Sequence, residues 1–190
     1  MIHELKALAQ NMRTVLERVN DFSKKVALQI KDHNSIMLFG EGLGEAVACE
    51  GALKMKELTY IHCQAFNISE ISSSFFSFAK LNPGTAAIFV VLDSDEQAKN
   101  NALSQMAKLL EHGVKILPIV ITDCRDKETK SFFEKFCGGK DNLFIVPKSG
   151  PFLSALLCVV PLQRLAYDIT IALGYDPDRP RNLAKELTTH

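Results

Sequence analysis

From residue 2 to residue 30 the apolar side chains Leu5, Leu8, Met12, Val15, Leu16, Val19, Phe22 and Val26 recur mostly at intervals of three and four, the spacing of one helical face. One or two amphipathic helices are predicted to open the chain. Ser35-Ile36-Met37-Leu38-Phe39-Gly40 is a short apolar run closed by glycine, and residues 45–59 return to helical spacing, so a strand, a tight turn and a helix follow. Further strands are predicted at residues 63–68, 86–92, 114–122 and 142–146. Helices are predicted at 96–112 and 127–136. A last helix is expected over 151–173, with a bend at Pro161 and a stop at Gly174. The tail from Tyr175 contains Pro177 and Pro180 and cannot continue it.

Strands alternating with helices imply a parallel sheet. Runs as apolar as Ala-Ile-Phe-Val-Val-Leu at 87–92 lack in-out alternation and belong to strands covered on both faces. The predicted fold class is therefore α/β, a three-layer αβα sandwich around a five-stranded parallel sheet. At 190 residues, with 47% of them hydrophobic, the chain is sized for one core. We read it as a single domain over 1–190, with an N-terminal helical segment at 1–34 and a C-terminal tail at 175–190. No solenoid-period repeat or low-complexity linker interrupts it.

Charge and cysteines narrow the function classes. Lysine plus arginine equals aspartate plus glutamate at 22 each, which argues against nucleic acid or an anionic membrane as partner. The apolar stretch 152–162 is shorter than the roughly 20 residues that span a bilayer and reads as a buried helix. The N-terminus lacks the pattern of a signal peptide. Five widely spaced cysteines without a Cys-x-x-Cys pair fit free thiols in a reducing, cytoplasmic location and provide no metal site. Cys49, Cys124 and Cys158 stand in apolar contexts typical of inert core thiols. No cofactor is expected. Gly40-Glu41-Gly42-Leu43-Gly44 departs from the dinucleotide fingerprint, because its third glycine comes one residue early and Glu41 and Glu45 would face the pyrophosphate. A tight strand-to-helix turn is the expectation there.

The candidate chemistry lies on the helix after the first strand. Glu50, Lys54 and Glu57 fall at i, i+4 and i+7, so their side chains share one face. A carboxylate beside an ammonium suits proton transfer next to a sugar carbonyl: one group moves the proton while the other polarises or holds the substrate. The same spacing is also that of a solvated ion-pair ladder, which on spacing alone is the commoner case.

Three stretches carry a resemblance that changes this balance. Glu50-Gly51-Ala52-Leu53-Lys54-Met55-Lys56-Glu57-Leu58-Thr59-Tyr60-Ile61-His62 resembles the Glu-Gly-Ala-Leu-Lys-Leu-Lys-Glu-Ile-Ser-Tyr-Ile-His stretch of the second sugar isomerase (SIS) domain in the glutamine:fructose-6-phosphate aminotransferase family, the glucosamine-6-phosphate synthases. Pro161-Leu162-Gln163-Arg164-Leu165-Ala166-Tyr167 is similar to that family's Pro-Leu-Gln-Leu-Leu-Ala-Tyr. Pro180-Arg181-Asn182-Leu183-Ala184-Lys185 matches its Pro-Arg-Asn-Leu-Ala-Lys. The resemblance runs from about residue 35 to residue 185 and implies the SIS fold, a flavodoxin-like arrangement. It further implies an aldose–ketose isomerase module acting on fructose 6-phosphate or glucosamine 6-phosphate. By the same resemblance Glu57 is the base that shuttles a proton between C1 and C2, and Lys54 sits beside it. Ala184 and Lys185 belong to a tail that closes over the sugar.

Two departures from the family weigh against full activity. Its Gly-Glu-Leu-Lys-His-Gly-Pro is here Ser69-Glu70-Ile71-Ser72-Ser73-Ser74-Phe75, which puts Ser73 where the ring-opening histidine stands. A serine hydroxyl does not titrate near neutrality, and general acid catalysis is typically worth roughly 10²- to 10⁴-fold. Related domains also carry a Ser-x-Ser-Gly-x-Thr phosphate loop, at a position that here reads Asp93-Ser94-Asp95-Glu96. Three carboxylates at a helix start favour the helix and repel a phosphate dianion. Ser72, Ser73 and Ser74 remain the candidate substrate-binding hydroxyls, although Phe75 and Phe76 stand where glycine would let an anion approach the backbone. The leading expectation is an isomerase module, weak or inactive as an isolated chain. The rival is a catalytically silent sugar-phosphate-binding or regulatory SIS domain. The partner expected in either case is a sugar phosphate, with self-association as a homodimer or pairing with another SIS domain.

Overall fold

The computed structural model describes residues 2–72, 82 and 84–181. Helix α1 (Ile2–Ile30) is followed by β1 (Ser35–Gly40), α2 (Leu43–Thr59), β2 (His62–Asn67) and a 3-10 turn (Ile68–Ser72). The chain continues through β3 (Thr85–Val91), α3 (Glu96–Glu111), β4 (Ile116–Thr122), α4 (Lys127–Phe136), β5 (Leu143–Ile145) and α5 (Pro151–Ala172). All five strands are parallel, in the order β2-β1-β3-β4-β5. That is the flavodoxin-like order, in which the chain winds to opposite sides of β1 and β3.

The unbroken apolar runs are explained by two cores, one on each face of the sheet. Ile36, Leu38, Ile88, Val90 and Ile121 point toward α1, α2 and α5, where they meet Val19, Val26, Met55, Leu162 and Ile169. Their neighbours Met37, Phe39, Phe89 and Val91 point the other way, onto Met106 and Leu109 of α3 and Phe133 of α4. Period-two alternation is therefore present, but both of its faces are buried. Pro118 sits within β4, an unusual place for a residue with no N–H. It is tolerated because β5 is short and pairs only with Val120, Ile121 and Thr122, leaving that edge of β4 free at Pro118.

The N-terminal segment is one continuous helix. Its docking on α5 is fixed by a polar lock: buried Asp168 accepts a short hydrogen bond from the Ser23 hydroxyl on α1 and a bidentate pair from Arg164, with Nε at 2.9 Å and Nη2 at 3.2 Å. Helix α5 runs through Pro161 without interruption. At 22 residues it extends well beyond the apolar stretch at 152–162, and by length and composition alone it is long enough to cross a bilayer. Its packing against α1 and α2 marks it as a core helix, and 56% of its most apolar window is buried.

Candidate functional site

Helix α2 is positioned by close backbone approaches. Gly42 caps its N-terminus at φ +56, a left-handed geometry that glycine adopts without strain. A Cβ on Gly44 would lie 2.8 Å from the Val90 carbonyl oxygen, so only glycine lets the helix start directly over β3. The expected strand-to-helix turn is confirmed. Further along, a Cβ on Gly51 would fall 2.6 Å from Leu162 Cδ1 and 3.1 Å from Leu38 Cδ2. Gly51, Ala52 and Met55 thus form the inner face of α2, and Glu50, Lys54 and Glu57 lie off it, partly exposed.

Lys54 is the centre of this outer group. Its Nζ donates to Glu57 Oε2 at 2.9 Å and lies 3.9 Å from Glu50 Oε1. The hydrogen bond to Glu57 raises the lysine pKa above its ordinary value, with burial opposing and the two carboxylate charges assisting. The ammonium is therefore held charged beside a carboxylate whose side chain is 22% exposed. A proton acceptor and a fixed cation within one hydrogen bond is an arrangement able to move a proton at a carbon next to a carbonyl.

Among the other expected site residues, Ser72 ends the 3-10 turn Ile68–Ser72. Ser73, Ser74, Ala184 and Lys185 lie outside the described residues. His62 is exposed and hydrogen-bonded at 3.2 Å with Oγ of Ser35, its register partner on β1.

The C-terminal end of α2 carries a cluster that the sequence reading did not single out. Tyr60 caps the helix at φ +62 and is the one non-glycine residue with positive φ among the described residues. Such a conformation costs a side-chain-bearing residue about 1–2 kcal/mol. Its ring meets Tyr175 edge-on at 5.2 Å, and the Arg181 guanidinium lies 4.1 Å from the Tyr60 ring centroid and 5.1 Å from that of Tyr175. The Arg181 backbone N–H donates to Tyr60 Oη at 2.7 Å, and this bond lowers the phenol pKa below its usual range. Both Tyr60 and Arg181 fall within the matched stretches, which was the one available signal.

A cavity of about 360 Å³ opens at the other end of α2, at the C-terminal ends of β1 and β3, lined by Glu41, Leu43, Ser94, Asp95 and Glu96 among others. This is the topological switch point of the sheet, where ligands of open α/β folds gather. The loop after β3, which borders it, carries less free negative charge than the bare sequence implies. Asp93 is gripped by Lys99 at 2.7 Å and by Lys148, and Asp95 Oδ1 caps α3 by accepting from the Ala98 N–H. Burial pushes the Asp93 pKa up, but the hydrogen bonds from Lys148 and Lys99 outweigh it and hold the carboxyl below its ordinary range. Of the three carboxylates in the loop, the one nearest the strand is thus neutralised by two ammonium groups.

The thiol expectation needs one correction. Cys124 and Cys158 are buried as expected, but Cys49 is exposed, because its position on α2 turns away from the Gly51–Met55 face.

The sequence profile of the SIS domain family matches residues 29–173. A glutamine–fructose-6-phosphate aminotransferase (isomerizing) from Pyrobaculum aerophilum is 34% identical over 185 residues, covering 97% of this chain and 28% of that protein. Among solved structures, the C-terminal domain of glucosamine-fructose-6-phosphate aminotransferase from Francisella tularensis superposes with a TM-score of 0.75 at 24% identity, over 92% of this chain and 45% of that one. A putative tagatose-6-phosphate ketose/aldose isomerase from Clostridium novyi shares the fold at a TM-score of 0.76 and 17% identity, over 99% of this chain and 48% of that one. The chain thus spans little more than a quarter of the aminotransferases it matches. The matched profile and the sheet order agree that it belongs to the SIS domain family.

Proposed function

We propose that residues 1–190 form one SIS domain acting as an aldose–ketose isomerase module on fructose 6-phosphate or glucosamine 6-phosphate, completed by a second SIS unit. The carrying observation is the Lys54–Glu57 pair, held 2.9 Å apart on a part-exposed face of α2. Glu57 is the proton carrier between C1 and C2, and Lys54 holds the adjacent oxygen. Ala184 and Lys185 enclose the sugar, and Ser72, Ser73 and Ser74 offer hydroxyls.

The need for a second unit follows from distance. Glu57 lies 14 residues beyond Leu43, which lines the switch-point cavity, so the two are about 21 Å apart along a helix rising 1.5 Å per residue. A hexose phosphate cannot reach both, so a phosphate bound near Glu57 needs another surface. Helix α5 offers one for pairing: Phe152, Leu156, Tyr167 and Ile171 are exposed at helical spacing along one stripe. Self-association as a homodimer through this stripe is the expected form of the isolated chain, and light scattering showing only monomer at high concentration refutes it. Five free thiols fit a reducing, cytoplasmic setting.

The test is solvent deuterium exchange into fructose 6-phosphate, paired with calorimetry. The isolated chain is expected to bind with a dissociation constant of about a millimolar, roughly 4 kcal/mol. Exchange is expected to be slow and to be abolished in Glu57→Gln without loss of folding. Ser73 and the acidic loop after β3 favour a second reading, a silent binding domain. Binding without any exchange in the wild type would establish that reading instead.

A further inference from the structure

We infer that the switch-point cavity is a second binding site, shaped for a short amino alcohol: an ammonium group at the acidic rim and a hydroxyl group inside. The inference stands apart from the isomerase reading, because Glu57 lies at the other end of α2.

The shape comes first. At about 360 Å³ the cavity is large enough for a small molecule. Val90, Val91, Leu92, Ala98 and Ala102 give it an apolar lining, and its carboxylates stand on two lips: Glu41 on one, Asp95 and Glu96 on the other. The lips are close. A Cβ on Gly42 would stand 3.6 Å from Asp95 Oδ2, the oxygen that Asp95 does not spend on capping α3.

The charge balance decides the sign of the ligand. Leu43, Glu96 and Pro151, the first residues of α2, α3 and α5, all line the cavity. Each helix start contributes about half a positive charge, so three carboxylates leave the rim negative by about one and a half charges. Lys99 and Lys148 do not make up the difference. Both grip Asp93, and the carboxylates of Asp126 and Asp123 act on them as well. Glu41 Oε2 meets the neutral amide of Asn101, at 2.7 Å. A phosphate-bearing ligand is therefore repelled and a cation is drawn in. Among the described residues no three carboxylate, thiol or imidazole groups converge to cage a metal ion, so the cation is an organic one.

A buried acceptor supplies the second half of the ligand. Gln105 is 7% exposed, and its Oε1 has no hydrogen-bond partner among the described residues. An amide oxygen left in that state costs stability, and a ligand that donates to it removes the cost. The residue follows Ala98 by seven positions and Ala102 by three, which puts it on the α3 face that lines the cavity. Side chains on a helix lean toward its N-terminus, so Gln105 reaches toward the cavity rather than away from it. Its Nε2 lies 3.5 Å from Asn101 Oδ1, and Asn101 is the residue that holds Glu41 at the rim. Rim and buried acceptor are thus joined through one side chain. The inner donor has to be neutral, because burying a second ammonium beside a single amide oxygen would cost far more than burying a hydroxyl.

The test titrates the full ¹⁵N-labelled chain with 4-amino-1-butanol, 1-aminobutane and inorganic phosphate, following amide shifts by NMR. The amino alcohol should move the amides of Leu43, Ser94, Ala98 and Ala102 saturably and bind about fivefold tighter than 1-aminobutane, which lacks the hydroxyl. Gln105→Leu should erase that preference. The double variant Asp95→Asn/Glu96→Gln keeps a helix-capping side chain and should weaken both amines about tenfold at an unchanged melting temperature. The comparison of the two amines on the wild type needs no variant, so it decides the matter even where Gln105→Leu fails to fold. Equal affinities of the two amines would overturn the proposal. So would shifts scattered over acidic surface positions instead of the cavity lining, or a response to phosphate in place of the amines.

Discussion

Replacing Gly51 by alanine sets two well-measured effects against each other. In an isolated helix the change favours folding by about 1 kcal/mol, because alanine is the best helix former and glycine among the worst. Here the new methyl would sit 2.6 Å from Leu162 Cδ1, 3.2 Å from Leu162 Cβ and 3.1 Å from Leu38 Cδ2. Both leucines are fully buried, and the Cβ contact prevents Leu162 from escaping by rotation alone, so α2 must move off α5. Overpacking of this kind costs about 1–3 kcal/mol. The net expectation is a loss of about 1 kcal/mol, or a melting temperature lower by roughly 2–4 °C for a chain of this size. A double-mutant cycle sharpens the test. Leu162→Ala alone should cost about 3 kcal/mol, and in the Gly51→Ala background about 1 kcal/mol less, because the methyl then fills part of the vacated space. Thermal melting of the four proteins gives the result directly. A Gly51→Ala protein more stable than the wild type would show that α2 and α5 are not in the close contact described and would refute the reasoning.

Other substitutions probe separate links in the structure. Asp168→Ala removes the acceptor that Arg164 and the Ser23 hydroxyl share; since Arg164 still reaches water and Ser23 keeps the Asn20 carbonyl at 3.3 Å, the cost should be about 2 kcal/mol rather than the roughly 3–5 of a fully buried pair, read as a lower urea midpoint. The depressed pKa of Asp93 means that its contribution is fully present above the unfolded carboxylate pKa of about 4 and is lost as pH falls through the lower folded value. The stability gap between wild type and Asp93→Asn should therefore be widest near pH 7 and close below about pH 4; a constant gap would disprove the pairing with Lys99 and Lys148. Native protein should react rapidly with a thiol reagent at Cys49 alone, since burial raises Cys63 and Cys137 to about 12, and mass spectrometry after brief labelling would expose any second fast site.

Much of the fold was legible because its signals are local and repeated. Both faces of the central strand β3 are buried along its whole length, so a run such as Ala-Ile-Phe-Val-Val announces itself, and α4 was bounded at residues 127–136 as observed. Boundaries drifted where pairing rather than composition decides them. The fourth strand starts at Ile116 instead of Val114, and the fifth shrinks to the three residues that pair with Val120–Thr122 of β4. At the site, the spacing of Glu50, Lys54 and Glu57 predicted a shared face and the structure supplies the contact. The two lysines that neutralise Asp93 come from α3 and from the loop before α5, and no linear pattern links positions 93, 99 and 148. Tyr60 and Arg181 are separated by 121 positions, so their meeting is a product of how α5 returns the chain to the foot of α2.

The docking of α1 on α5 has a consequence for synthesis. The first helix of this chain buries Val15, Val19, Phe22 and Val26 against a core whose other wall includes the last helix. About 120 residues separate the end of α1 from the start of α5, so at 5–20 residues per second the ribosome needs roughly 6–24 s to supply that wall. For that interval an amphipathic helix with a complete apolar stripe is exposed without its native cover. A nascent chain arrested before residue 151 should therefore be captured by holdase chaperones through α1, and released once α5 has emerged.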